Sequence, residues 1–172
     1  DGFQHIFFNM FAVWMFGRIM EEQWGSKRFL LFYLLCGIGA GLMQEICQYV
    51  HYWLVYSNYE VVAIGNGMTI PMMQYLDQIL TVGASGAVYG ILLGYGMTFP
   101  DNQLFIIPIP VPIKAKWLVI GYVVLELGLG IRGSAADNVA HFAHLGGMLT
   151  GFLILLYWKH RERKDNHIKF TW

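Results

Sequence analysis

Residues 81–99 read TVGASGAVYGILLGYGMTF, a charge-free stretch that runs apolar from a serine set between glycines. A helix needs roughly 20 mostly apolar residues to cross a bilayer, and with Leu80 this stretch has that length. Its reading sets the fold class, because three comparable blocks accompany it: His5–Met20, Phe29 to about Val50, and Asn138–Trp158. A fifth block, Lys116–Ile131, is interrupted only by Glu126. Over its 172 residues the chain is 56% hydrophobic and 13% charged, with mean hydropathy +0.48. Soluble domains carry about 45–50% apolar and about 25% charged residues. The expected class is therefore an all-α, polytopic transmembrane helical bundle with five spans in one membrane domain over residues 1–172.

The opening DGFQHIFFNM has no basic leader or cleavage site and is already entering an apolar segment, so the first helix reads as cut from something longer. Cys36 and Cys47 share one predicted helix; 11 residues apart, they stand about 16 Å from each other and cannot bridge.

Formal net charge is zero, but the charges are unevenly placed. If the chain weaves simply, Arg18, Lys27, Arg28, Lys114, Lys116, Lys159, Arg161, Arg163, Lys164 and Lys169 share one face, ten of the eleven basic residues, and Arg132 alone lies opposite. The positive-inside rule makes the basic face cytoplasmic, together with the tail 159–172. Two connections are unusual. IPIPVPIK, 107–114, alternates proline and reads as an extended, polyproline-like strap. Residues 46–80 read as an overrun of the second helix, an irregular or hairpin piece around GNG at 65–67, and a short amphipathic segment, TIPMMQYLDQIL.

Depth gives the serine its context. Pro100 lies 15 residues beyond Ser85, and Lys159 lies 15 beyond His144. Both side chains thus stand about 22 Å from the cytoplasmic boundary. On the first helix, Asn9 and His5 lie 12 and 16 residues from Glu21, bracketing the same plane at about 18 and 24 Å. Polar side chains at such depth are costly and mark functional sites. Gly86, Gly90 and Gly94 recur every four residues on one helix, Gly147 and Gly151 on the other. Faces of this kind let backbones approach closely and would carry Ser85 toward His144.

Each residue also has a plainer reading. Ser85 suits close packing or an N-cap, and His5 and Asn9 suit interhelical hydrogen bonding. A hydroxyl at the same depth as an imidazole favours nucleophile and base, and an Asn beside a reacting carbonyl favours an oxyanion donor. His141 and His144 have metal-ligand spacing, but there is no HExxH and no carboxylate the sequence places beside them, so no metal is expected. Glu45 marks the outer interface, and the sequence identifies no partner for Glu126.

HIFFN at 5–9, GASGAVYG at 83–90 and AHFAHLGGMLTG at 140–151 together resemble the rhomboid intramembrane serine proteases, as do EEQWGSKRF at 21–29 and PIPVPIKAKW at 108–117. The resemblance covers nearly all the chain outside 46–80. It implies a six-helix core whose first helix and external loop would precede HIFFN. It also implies a Ser85–His144 dyad, with Gly83 and Gly86 as the glycines of the GxSG motif. His144 is selected over His141 because it opens HxxGxxxG with Gly147 and Gly151. His5 and Asn9 then aid the oxyanion, and Tyr89 packs against the histidine. The implied activity is endoproteolysis of transmembrane substrates within the lipid bilayer through an acyl-enzyme, without cofactor or nucleic acid, in the bacterial cytoplasmic (inner) membrane. The rival readings are a proteolytically silent client-binding relative and an ion-binding transporter or channel. Substrate identity and oligomeric state are not encoded legibly.

Overall fold

A computed structural model describes residues 2–65, 67–76, 84–106, 109–132 and 135–165. Helix α1 (Gly2–Ala12) passes through a π-helical turn, Val13–Gly17, into α2 (Arg18–Trp24). Gly25 ends that run at φ +82°, its N–H capping the Glu21 carbonyl at 2.8 Å. This is backbone that side-chain-bearing residues adopt poorly. Next comes α3 (Ser26–His51), extended by a π turn over Tyr52–Tyr56. After a short hairpin and helix come α5 (Ala84–Thr98), α6 (Ala115–Arg132) and α7 (Ala135–Asp165). The described chain is mostly helical, as expected.

Among the described residues, two helices are long and apolar enough to cross a membrane: Ser26–Val55, of 30 residues, and Ala140–Glu162, of 23. The other expected spans are present as helices, but α5 has 15 residues and α6 has 18. Residues 77–83, which lead into α5, lie outside the described residues.

Helix α7 is the centre of the bundle, with α3, α5 and α6 packed around it. Small residues set these approaches. A Cβ on Gly147 would overlap the Gly86 carbonyl oxygen, so α5 and α7 meet backbone to backbone where their glycine faces were expected to pair. The rest of the glycine stripe serves another neighbour: a Cβ on Gly90 would stand 2.6 Å from Cys36 Sγ, and one on Gly151 would stand 2.9 Å from the Phe32 ring. Gly39 of α3 faces Thr150 of α7, an approach the sequence pattern did not reveal.

At the base, Trp24 packs edge-on against Phe32 and Trp158, with ring centroids 5.0 and 5.4 Å away. Arg28 lies over Trp158 and pairs with the buried Glu162 at 2.7 Å. The core is apolar, but so is much of the outer surface, and a few polar side chains are buried. Ser85, Thr98, Gln44 and Glu126 are buried, while Leu34, Ile38, Leu42, Ile120, Val124 and Leu153 are exposed. An outward apolar surface of that kind fits lipid contact.

The 46–80 connection has the expected helix overrun and hairpin, but the expected amphipathic segment TIPMMQYLDQIL is divided, with Thr69–Pro71 in the second strand and, among the described residues, only Met72–Leu76 helical. The second helix overruns to Tyr56, β1 (Val61–Gly65) pairs antiparallel with β2 (Met68–Pro71), and α4 spans Met72–Leu76. The remainder of TIPMMQYLDQIL, 77–80, lies outside the described residues, as does tail 166–172. The proline strap is extended but is not isolated. Its described part, β4 (Ile109–Lys114), pairs with β3 (Gln103–Ile106), because alternate prolines leave alternate N–H groups free to bond. Asp101 holds Lys114 at 3.0 Å and Lys116 at 2.8 Å. The Lys116 and Lys114 ammonium groups keep its carboxyl below the usual carboxylate range. Both cysteines are free.

Candidate active site

Ser85 is the second residue of α5 as described, Ala84–Thr98. The close contact at Gly86 and Gly147 carries Ser85 to α7. Ser85 Oγ lies 3.0 Å from His144 Nε2, a hydrogen-bonding distance, and Ser85 is buried. Tyr89, one turn after the serine, stacks on the His144 ring with centroids 4.1 Å apart and planes 14° from parallel. Ring and hydroxyl are thus held from two directions, the arrangement in which an imidazole can take a hydroxyl proton.

The other ring nitrogen is also engaged, by a residue whose partner the sequence did not identify. His144 Nδ1 lies 3.2 Å from Glu126 Oε2, and His141 Nδ1 lies 2.6 Å from the same oxygen. Glu126, on α6, is 2% exposed. The expectation that no carboxylate stands beside the histidines is therefore corrected. A signal existed: Glu126 is the one acid inside an otherwise apolar helix, and a charge at that depth calls for a partner.

Nitrogen and carboxylate atoms of Glu126, His141 and His144 lie within 4.8 Å of one another, close enough for a metal ion to be considered. The contacts are those of hydrogen bonds. Two ligands on a tetrahedral zinc stand about 3.3 Å apart, so the 2.6 Å His141–Glu126 pair would have to open to admit one.

His5 and Asn9 lie on α1, which packs against α5. His5 is exposed and Asn9 half-buried. Among the described residues, neither is hydrogen-bonded to Ser85. Gly83 lies outside the described residues. Gly86, Gly90, Gly94, Gly147 and Gly151 all occupy helix contacts. A separate concavity of about 410 Å³, lined by Tyr52, Ser57, Glu60 and Met72 among others, lies at the 46–80 connection and contains none of these residues.

Comparison with known proteins adds a family to this geometry. The family described as Rhomboid domain matches residues 1–161. RHOMBOID-like protein 4 of Arabidopsis thaliana is 29% identical over 89% of this chain and 30% of its own length. Rhomboid protease GluP of Bacillus subtilis is 29% identical over 88% of this chain and 22% of its own. Rhomboid protein 1, mitochondrial, of Saccharomyces cerevisiae is 27% identical over 88% and 37%. The chain thus spans well under half the length of each of these relatives. No solved structure matches.

Proposed function

The chain belongs to the rhomboid family of integral membrane proteins, and from that premise we propose that it is an intramembrane serine endopeptidase acting through Ser85 and His144. The observation that carries the reading is the 3.0 Å contact between Ser85 Oγ and His144 Nε2, held under the Tyr89 ring.

The chemistry follows from those atoms. Ser85 Oγ attacks the scissile carbonyl carbon as its proton passes to His144 Nε2, giving a tetrahedral oxyanion. Collapse breaks the C–N bond, and the His144 proton leaves on the departing amine. Water then gives a proton to His144 Nε2 while its oxygen attacks the ester. Collapse returns the proton to Ser85 Oγ and releases the acid. The Ser85 backbone N–H is the main-chain candidate to receive the developing negative charge, and His5 and Asn9 on α1 are the side-chain candidates to join it.

Substrates in this reading are transmembrane segments that enter laterally from the bilayer and unwind locally, because a hydrogen-bonded helix shields its carbonyls. Residues 1–172 form one membrane domain whose five helical segments cross or enter the bilayer, with 159–172 on the cytoplasmic side by charge. Relatives from a plant, a bacterium and a yeast match about equally well, so similarity does not single out a bacterial membrane. Neither rival, silent client binder or ion carrier, draws support from a specific contact.

The test is covalent labelling by a fluorophosphonate probe in mild detergent, on this chain and on the full-length protein. Labelling is expected, and is expected to disappear in Ser85→Ala and His144→Ala. A folded full-length protein that does not label would sink the reading.

A further inference from the structure

We propose that Glu126 is a positioning residue for the reaction, completing a Ser85–His144–Glu126 chain where the sequence resemblance implies a dyad. The proposal deepens the protease reading and rests on it.

A carboxylate only accepts, so the nitrogens facing Glu126 Oε2 must carry hydrogen: His144 Nδ1 at 3.2 Å and His141 Nδ1 at 2.6 Å. A neutral His144 protonated on Nδ1 has a bare Nε2, the atom 3.0 Å from Ser85 Oγ. The opposite tautomer would point an N–H at the serine and leave it without a base. Glu126 thus selects the one neutral tautomer that can accept the Ser85 proton.

Its own placement is fixed as well. His141 Nδ1 is a second donor to the same oxygen. Tyr89 stacks on the His144 ring and fixes the plane in which Nδ1 meets the carboxylate. A carboxylate this deeply buried is costly unless donors surround it, and here they do. When His144 takes the proton it becomes a cation beside an anion already in place, without reorganisation. His141 gains a role too: it holds the carboxylate, not the serine.

The experiment uses the full-length protein in detergent and a fluorophosphonate probe, separating the maximal inactivation rate from the probe's binding constant. Glu126→Gln is expected to lower the maximal rate by about 10²–10⁴-fold with binding changed less than about threefold, as for other hydroxyl–imidazole–carboxylate chains. Glu126→Asp should recover at least tenfold of that loss. A rate within threefold of the unsubstituted protein in Glu126→Gln would overturn the proposal. A second measurement needs no substitution: histidine ¹⁵N NMR should show His144 as the Nδ1–H tautomer, and an Nε2–H tautomer would overturn it equally. If the unsubstituted protein does not label at Ser85, the protease reading fails and the proposal with it. If labelling survives Glu126→Gln undiminished, the proposal alone fails.

Discussion

Gly147→Ala isolates the contact on which the reactive pair depends. A carbon added there would overlap the Gly86 carbonyl oxygen and sit 2.6 Å from the Gly86 carbonyl carbon. Carbon atoms prefer separations of about 3.5–4.0 Å, so α5 and α7 must part by about 1 Å. Neither obstacle is a side chain that can swing aside; both are backbone. Gly86 adjoins Ser85, and Gly147 is one turn from His144, so the displacement falls almost wholly on the 3.0 Å Oγ–Nε2 contact. A misplacement of about 1 Å can cost about 10²-fold in rate, and overpacking typically costs about 1–3 kcal/mol of stability. Gly147→Ala should therefore label with fluorophosphonate about 100-fold more slowly and melt several degrees lower. Gly121→Ala and Gly128→Ala are the controls, since a Cβ at either position meets nothing within 4 Å. Both should label and melt like the unsubstituted protein. Wild-type labelling by a folded Gly147→Ala protein would refute the idea that backbone contact sets the distance between serine and histidine.

The ring stack and the loop carboxylate give further tests. Tyr89→Ala should slow labelling about tenfold by releasing the His144 ring, whereas Tyr89→Phe keeps the stack and should stay within about threefold; equal losses in both would assign the effect to the hydroxyl. The lowered carboxyl of Asp101 predicts a pH-dependent anchor for the β3–β4 hairpin. A carboxylate with a depressed folded-state pKa contributes stability above its unfolded value and loses it as pH falls through the folded one. Amide resonances of β3 should thus be constant from about pH 5 to 8 and shift below about pH 4. Asp101→Asn should abolish that transition without changing labelling at neutral pH.

What the sequence revealed depended on whether a feature follows from distance along the chain or from rotation about a helix axis. Ser85 and His144 were legible because each lies a fixed number of residues from a boundary, and rise per residue converts that count into depth. The β1–β2 hairpin was legible from GNG, since turn chemistry is local. Glu126 was different. Its depth was readable, but whether it points at His144, at lipid or at another helix depends on the rotation of α6, which tertiary packing decides. The same limit hid the approach of Gly39 to Thr150 and the division of the α5 glycine stripe between two neighbours. Pairing of β4 with β3 escaped for another reason: alternate prolines signal an extended chain without signalling what it extends against.

The outward face of α3 has a consequence for handling the protein. Leu34, Ile38 and Leu42 follow one another at four-residue spacing and all are exposed, so they form one apolar stripe along the helix. Water is a poor solvent for such a stripe, and a detergent that withdraws from it leaves two copies free to bury it against each other. The choice of detergent therefore sets the association state in which the molecule is observed.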